Sequence, residues 1–166
     1  SVRLNTYTVT DGNNNIPQPN DTIGIAAEYK NYLDATSNVS AVITSITAGI
    51  TILNGSATLG AIPTLGTVNN DSNPYRIRIS GTVAANTIAG FKITYTDGAY
   101  SDFEYFTVVI NPSYFDMNVN KIATTINSKG NFGFNDYSSN LQGTGFKYDN
   151  GTNLLFEGGL ICAVSN

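Results

Sequence analysis

An Asp- and Asn-rich loop near the start of the sequence has the composition of a calcium-binding turn. Asp11, Asn13 and Asn15 place oxygen-bearing side chains at alternate positions, and Asp21 follows closely along the chain. Calcium binds carboxylate and amide oxygens that converge on one point. The same residue types also form plain turns, in which each side chain caps the neighbouring backbone. The plain turn is favoured, and calcium on Asp11, Asn13, Asn15 and Asp21 would bind weakly because so few of these ligands are charged.

A second candidate for chemistry is a pair of carboxylates. Asp102 and Glu104 stand two positions apart in a predicted strand, so both side chains lie on one face. Two carboxylates held a short distance apart carry out glycoside hydrolysis. Nothing else in the sequence supports that reaction, and Asp97-Gly98 predicts a turn just before the pair. We therefore favour a solvated strand face over a catalytic site.

The chain has ten tyrosines and no tryptophan. A tyrosine ring offers a flat apolar face with a polar tip, which suits sugar stacking as well as core packing. Tyr75, Tyr95 and Tyr105 fall at positions that predict core-facing side chains. Four others fall in predicted loops or hairpins and form the candidate ligand-binding set for a polysaccharide or protein: Tyr100, Tyr114, Tyr137 and Tyr148.

The sequence contains no histidine and one cysteine, Cys162. Histidine is the usual general base near neutral pH and the partner of a nucleophilic serine or cysteine. Its absence excludes a Ser-His-Asp or Cys-His site and every metal site that needs a histidine ligand. Cys162 lies in an apolar stretch and is interpreted as a small buried residue. The sequence thus predicts a protein that is not an enzyme and requires no cofactor.

Composition also bears on partners and location. The formal net charge is −4, which argues against nucleic acid as a partner. Arg76 and Arg78 alternate with apolar residues and are expected on a solvent-facing strand surface. The apolar stretches are too short and interrupted for membrane insertion. Abundant Asn, Thr, Ser and Gly are typical of secreted or cell-surface β-proteins, and the two chain ends suggest a piece of a longer protein.

Short stretches of alternating polarity predict β-structure along most of the chain, with no helix of ordinary length. Residues 22–33 alternate strictly, Asn54-Gly55 predicts a tight turn, and residues 103–110, apolar on both faces, predict a central strand. About seven short strands in residues 1–111 indicate an immunoglobulin-like antiparallel β-sandwich. Residues 112–166 are dense in Gly, Asn and aromatics, and predict a small β-hairpin-rich unit, with a further domain beginning there as one interpretation.

Three parts of the sequence are similar to a known kind of accessory region. Residues 7–22 resemble its opening strand and Asp/Asn-rich loop. Residues 30–32 with 37–39 are similar to the "K-N-x-G…A-x-N-V" pattern of CARDB-like immunoglobulin modules, and residues 145–148 with 154–160 are similar to a segment that often follows such modules. On these segments the chain resembles the non-catalytic C-terminal regions of secreted subtilisin-like peptidases of the Bacteroidetes type.

The resemblance implies an accessory region whose peptidase domain lies outside this chain, and it carries over no catalytic residue. Together with composition, it predicts a non-catalytic module of a larger secreted or cell-surface bacterial protein. Such a module would act as a spacer or as a protein-contact domain beside the other domains of its parent. The alternative is an adhesive module that binds carbohydrate or protein.

Overall fold

The computed structural model describes residues 1–128, 130–133, 145–155 and 158–159. These residues contain strands, turns and loops but no helix, and every strand pairing among them is antiparallel. The prediction of an all-β antiparallel fold is confirmed. The chain divides into two compact units, Ser1–Asn111 and Pro112–Asn166. Tyr137 and Cys162 lie outside the described residues.

The first unit contains nine strands. They are β1 (Val2–Thr10), β2 (Thr22–Asn31), β3 (Val39–Ser45), β4 (Ile50–Asn54), β5 (Ser56–Gly60), β6 (Thr67–Asn69), β7 (Tyr75–Ile79), β8 (Thr87–Asp97) and β9 (Tyr100–Ile110). One sheet has the order β1-β2-β7-β4, with β6 also paired to β2, and the other has the order β5-β3-β8-β9. This is the strand arrangement of an immunoglobulin constant-type sandwich, A-B-E-D against C-F-G, with β5 as an additional edge strand beside the C strand.

The core forms because alternate residues of both sheets are apolar and point inward. In β7, Tyr75, Ile77 and Ile79 are fully buried, whereas Arg76 and Arg78 between them are exposed, as predicted. In β2, the buried positions are likewise the alternate apolar residues that the sequence pattern indicated, followed by the buried polar residue Asn31.

Three tyrosines lie inside the core of the first unit. The Tyr29 and Tyr75 hydroxyls are 2.6 Å apart and hydrogen-bonded to each other. Tyr29 of one sheet meets Tyr95 of the other edge to face, with ring centroids 6.0 Å apart. Burial raises the pKa of Tyr29 and raises that of Tyr75 to about 12, so both hydroxyls stay protonated and act as partners for each other.

A double-mutant cycle tests the Tyr29–Tyr75 pair. Tyr29→Phe alone should lower the free energy of unfolding by about 1.5 kcal/mol, because the Tyr75 hydroxyl loses its buried partner. Tyr29→Phe combined with Tyr75→Phe should cost less than the sum of the two single changes, since no orphaned hydroxyl remains. Urea unfolding of the four proteins measures this, and strictly additive changes would contradict the pairing.

The chain crosses from one sheet to the other at Gly55. β4 belongs to the first sheet and β5 to the second, and Gly55 is the single residue between them. The predicted tight turn at Asn54-Gly55 is therefore wrong. Asn54 instead donates from Nδ2 to the Pro74 carbonyl at 3.1 Å, while the Gly55 carbonyl accepts from the Ile43 amide at 2.8 Å.

The prediction of a central strand at residues 103–110 is also wrong. Among the described residues β9 pairs with β8 alone and forms an edge of its sheet. Its inward-facing residues begin with the charged Asp102 and Glu104 and continue with the buried Phe106, Val108 and Ile110. Phe103 and Tyr105 lie on the outer surface. Tyr105 is 58% exposed, so the prediction that it faces the core is wrong as well.

The described part of the second unit is a small sheet. Its strands are β10 (Tyr114–Val119), β11 (Ile122–Asn127), β12 (Asn131–Phe132), β13 (Phe146–Tyr148) and β14 (Gly158–Gly159). The order is β10-β11-β12-β14, with β13 also paired to β11. One face carries apolar cross-strand pairs such as Phe115–Ile126 and Val119–Ile122.

Candidate functional site

A cleft of about 240 Å³ opens at one end of the first unit. It lies where the loop joining β2 to β3 meets the turn joining β8 to β9, which is the end that carries binding loops in immunoglobulin variable domains. We call it the end cleft; its lining includes Val2, Leu33, Asp34, Asp97 and Tyr100. Such concave sites at loop ends are where small ligands and side chains bind.

Asp97 holds the two walls of the end cleft together. Its carboxylate accepts hydrogen bonds from the Ser37 amide at 3.0 Å and the Asn38 amide at 2.9 Å. These two N–H groups, Ser37 first, lower the pKa of Asp97 below its ordinary value of 3.8. The sharp reversal after Asp97 uses Gly98 at a φ of 60°, a conformation that glycine adopts without strain.

Acid should destabilise the first unit partly through Asp97. Because the pKa of Asp97 is lower in the folded chain, its stabilisation is present above the unfolded pKa and is lost as pH falls through the folded value. Asp97→Asn should therefore lower the melting temperature at neutral pH and flatten its decline below about pH 4. Thermal unfolding at a series of pH values checks this, and an unchanged acid slope would contradict it.

Tyr100 stands at the mouth of the end cleft with its hydroxyl fixed. The hydroxyl donates to Asp102 Oδ2 at 2.9 Å, and Arg3 lies 2.6 Å from the same carboxylate oxygen. Arg3, followed by the Phe103 amide and Tyr100, lowers the pKa of Asp102. The Tyr100 side chain is 48% exposed, so this chain of contacts orients a ring that remains open to solvent.

Glu104 joins the open edges of the two sheets. Its Oε1 accepts from the Tyr95 hydroxyl at 2.5 Å and from the Leu4 amide at 2.6 Å. Further along, the Tyr7 hydroxyl donates to the Thr107 carbonyl at 2.5 Å. β1 and β9 are thus linked by side chains, and we call the contacts of Arg3, Leu4 and Tyr7 with β9 the edge clasp.

The edge clasp changes the interpretation of the Asp102–Glu104 pair. The prediction of a solvated strand face is incomplete, because both carboxylates stay partly exposed but are also bonded to β1. Asp102 is paired with Arg3, and Glu104 accepts from Tyr95 and Leu4. Each carboxylate therefore has a structural role in linking β9 to its neighbours.

The Asp11 loop is closed by its own side chains. Asp11 Oδ1 accepts from the Asn13 amide at 2.7 Å and the Asn15 amide at 2.9 Å. These N–H groups, Asn13 first, lower the pKa of Asp11. Asp21 Oδ2 accepts from the Gln18 amide at 2.8 Å. In the described ranges no three His, Cys, Asp or Glu side chains lie together as a metal-holding group.

Calcium binding at this loop stays a prediction, and the melting temperature of the chain with and without calcium tests it directly. Millimolar calcium should raise the melting temperature modestly at most, and Asp11→Ala should remove that rise. Asp71→Ala, which changes an exposed aspartate outside the loop, is the matched control. If calcium does not change the melting temperature of the unchanged chain, the self-capped turn is the only interpretation that remains.

The structure distributes the predicted tyrosine set over both units. Tyr100 lies at the end cleft, whereas Tyr114 and Tyr148 belong to the second unit. Tyr114 pairs with Asn127 at one end of β11, and Tyr148, 55% exposed, pairs with Ile122 at the other end. Tyr137 lies outside the described residues. Tyr114 and Tyr148 thus stand at opposite ends of their sheet, and Tyr100 belongs to a different unit.

Leu33 and Asp34 also line the end cleft, although the sequence did not predict them there. They follow β2 in the loop that borders the end cleft, and Leu33 is 61% exposed. An exposed leucine in the loop after the second strand of a predicted immunoglobulin-like sandwich was the available signal.

Within the described ranges, no helix has the length and apolarity needed to cross a bilayer. No protein-family model matches the chain, and the search of curated proteins gives no match. The CARDB-like resemblance therefore stays a prediction.

Proposed function

We propose that this chain is a non-catalytic accessory module of a larger secreted or cell-surface bacterial protein, and that it works as a rigid spacer and protein-contact domain. Its partners would be other domains of the parent protein. No cofactor is required for this role, and the Asp11 loop would at most bind calcium weakly.

The observation that carries this proposal is the engagement of the carboxylate pair in the edge clasp. An acid–base catalyst needs a carboxyl group free to exchange protons with a substrate. Asp102 is held by Arg3 at 2.6 Å, and Glu104 accepts from Tyr95 and Leu4. With no histidine in the sequence, this carboxylate pair is the best candidate for proton transfer, and both of its members are bonded to β1.

Hydrolytic assays of the isolated chain test the proposal. Peptide, ester and glycoside substrates should give no turnover above that of Asp102→Asn and Glu104→Gln variants. Turnover by the unchanged chain that either substitution abolishes would overturn the non-catalytic assignment. Circular dichroism of each variant controls for loss of folding.

A second candidate function is carbohydrate binding by an adhesive module. It is favoured by the exposed Tyr100 ring beside the Asp34 and Asp97 carboxylates, since an aromatic face with polar acceptors suits a sugar ring. Retention on insoluble polysaccharides that Tyr100→Ala abolishes and Tyr105→Ala preserves would support this function. Equal retention of both variants would contradict it at this site.

A further inference from the structure

We propose that the end cleft binds a lysine or arginine side chain of a partner protein. The inference rests on the proposed protein-contact function and names the chemistry of that contact. Three observations carry it: the shape of the cleft, the charges along it and the fixed ring at its mouth.

The shape suits a long side chain with an apolar stem. The floor consists of Val2, Val39 and Tyr95, which are almost completely buried. Leu33 and Tyr100 border the mouth and remain substantially exposed in the free chain. Lysine and arginine bury an aliphatic stem along apolar surface while the charged head reaches a polar rim.

The charges favour a cationic head group. Asp34 and Asp97 contribute two carboxylates, and none of the described residues that line the cleft is a lysine or arginine. Asp34 is exposed and its carboxylate makes no hydrogen bond or ion pair to the described residues, which leaves it available to a ligand.

The Tyr100 ring is prepared for a cation. Its hydroxyl donates to Asp102 at 2.9 Å, so the ring is held in place before a ligand arrives. An aromatic face attracts a positive charge that is placed over it. The chain already uses such contacts elsewhere, with Lys92 Nζ 4.4 Å from the Phe103 ring centroid and Lys30 Nζ 5.3 Å from that of Tyr32.

The test is an NMR titration of the ¹⁵N-labelled chain with three capped amino acids: N-acetyl-lysine methylamide, N-acetyl-arginine methylamide and N-acetyl-norleucine methylamide. The norleucine compound has the aliphatic stem without the charge. The lysine and arginine compounds should produce saturable shifts in amide signals of residues 33–39 and 95–100. We expect norleucine to bind about fivefold more weakly or worse, because it lacks the cation–π and charge attraction.

Matched variants separate the cleft from the rest of the surface. Tyr100→Ala should lower the affinity for the lysine compound by about fivefold. Tyr105→Ala, on the outer face of the same strand, should leave that affinity unchanged. Asp34→Asn, at an exposed position outside the edge clasp, should lower the affinity for the lysine compound about twofold without an effect on folding.

Three results would overturn the inference: equal binding of norleucine and lysine compounds, absence of saturable shifts with both cationic compounds, or saturable shifts at these residues with cellotetraose but not with the cations. The last result would assign the cleft to carbohydrate. None of them bears on the turnover assays, so failure of this inference is distinguishable from failure of the non-catalytic assignment.

Discussion

Glu104→Ala should lower the free energy of unfolding by about 3 kcal/mol, because two donors lose a charged acceptor at once. The Tyr95 hydroxyl and the Leu4 amide both donate to Glu104 Oε1. Tyr95 is 1% exposed, so water reaches its hydroxyl poorly after the acceptor is removed. Urea unfolding followed by tyrosine fluorescence measures the shift in midpoint.

Glu104→Gln is the matched control for this prediction. Its amide oxygen can still accept from Tyr95 and Leu4, so the cost should fall to about 1 kcal/mol. A Glu104→Ala protein as stable as the Gln variant would show that the edge clasp contributes nothing through this side chain.

Gly55→Ala should lower the free energy of unfolding by about 2 kcal/mol, through overpacking at the point where the chain changes sheets. A β-carbon at this position would lie 2.9 Å from the Ile43 carbonyl oxygen and 2.7 Å from Ile52 Cγ2. The Ile43 oxygen belongs to the backbone of a paired strand, so relief requires movement of β3 or β4.

Gly90→Ala is the control for Gly55→Ala, since its added β-carbon would come just as close to a neighbour. That neighbour is Ile46, at 2.8 Å, whose flexible side chain is 63% exposed and can turn away into solvent. The Gly90 variant should therefore lose well under 1 kcal/mol. Equal losses in the two variants, measured by the same urea titration, would contradict the assignment of Gly55 as a rigid crossing point.

Alternation of polarity was sufficient to predict the inner strands. β2 and β7 lie between other strands with one buried face, so the period-two pattern reports burial directly. The pattern fails at β9, where charged Asp102 and Glu104 point inward and Tyr105 points outward. The inward carboxylates find donors on β1, a contact between residues about a hundred positions apart that no local pattern contains.

The tight turn predicted at Asn54-Gly55 does not form, for a related reason. Asn-Gly favours a tight hairpin when the flanking strands pair with each other. Here β4 pairs with β7 and β5 pairs with β3, so the flanking strands belong to different sheets. Glycine serves instead to admit the Ile43 carbonyl close to the backbone.

The candidate site was predicted in part. Tyr100 was identified because a tyrosine next to a turn is expected to be exposed, and it does border the end cleft. Leu33 and Asp34 were not predicted as residues of the cleft. Which loops lie side by side depends on the order of the strands in the two sheets, and no local sequence pattern gives that order. The Asp11 turn was one of two interpretations, and its hydrogen bonds to Asn13 and Asn15 follow the self-capping pattern.

The order of contacts in the edge clasp has a mechanical consequence. Arg3 meets Asp102, Leu4 meets Glu104, and Tyr7 meets Thr107, so β1 and β9 run in the same direction side by side. A polypeptide that enters the first unit at β1 and leaves it at β9 therefore does so at opposite ends. Tension along that polypeptide would load these contacts together, in shear, rather than peel them apart one after another.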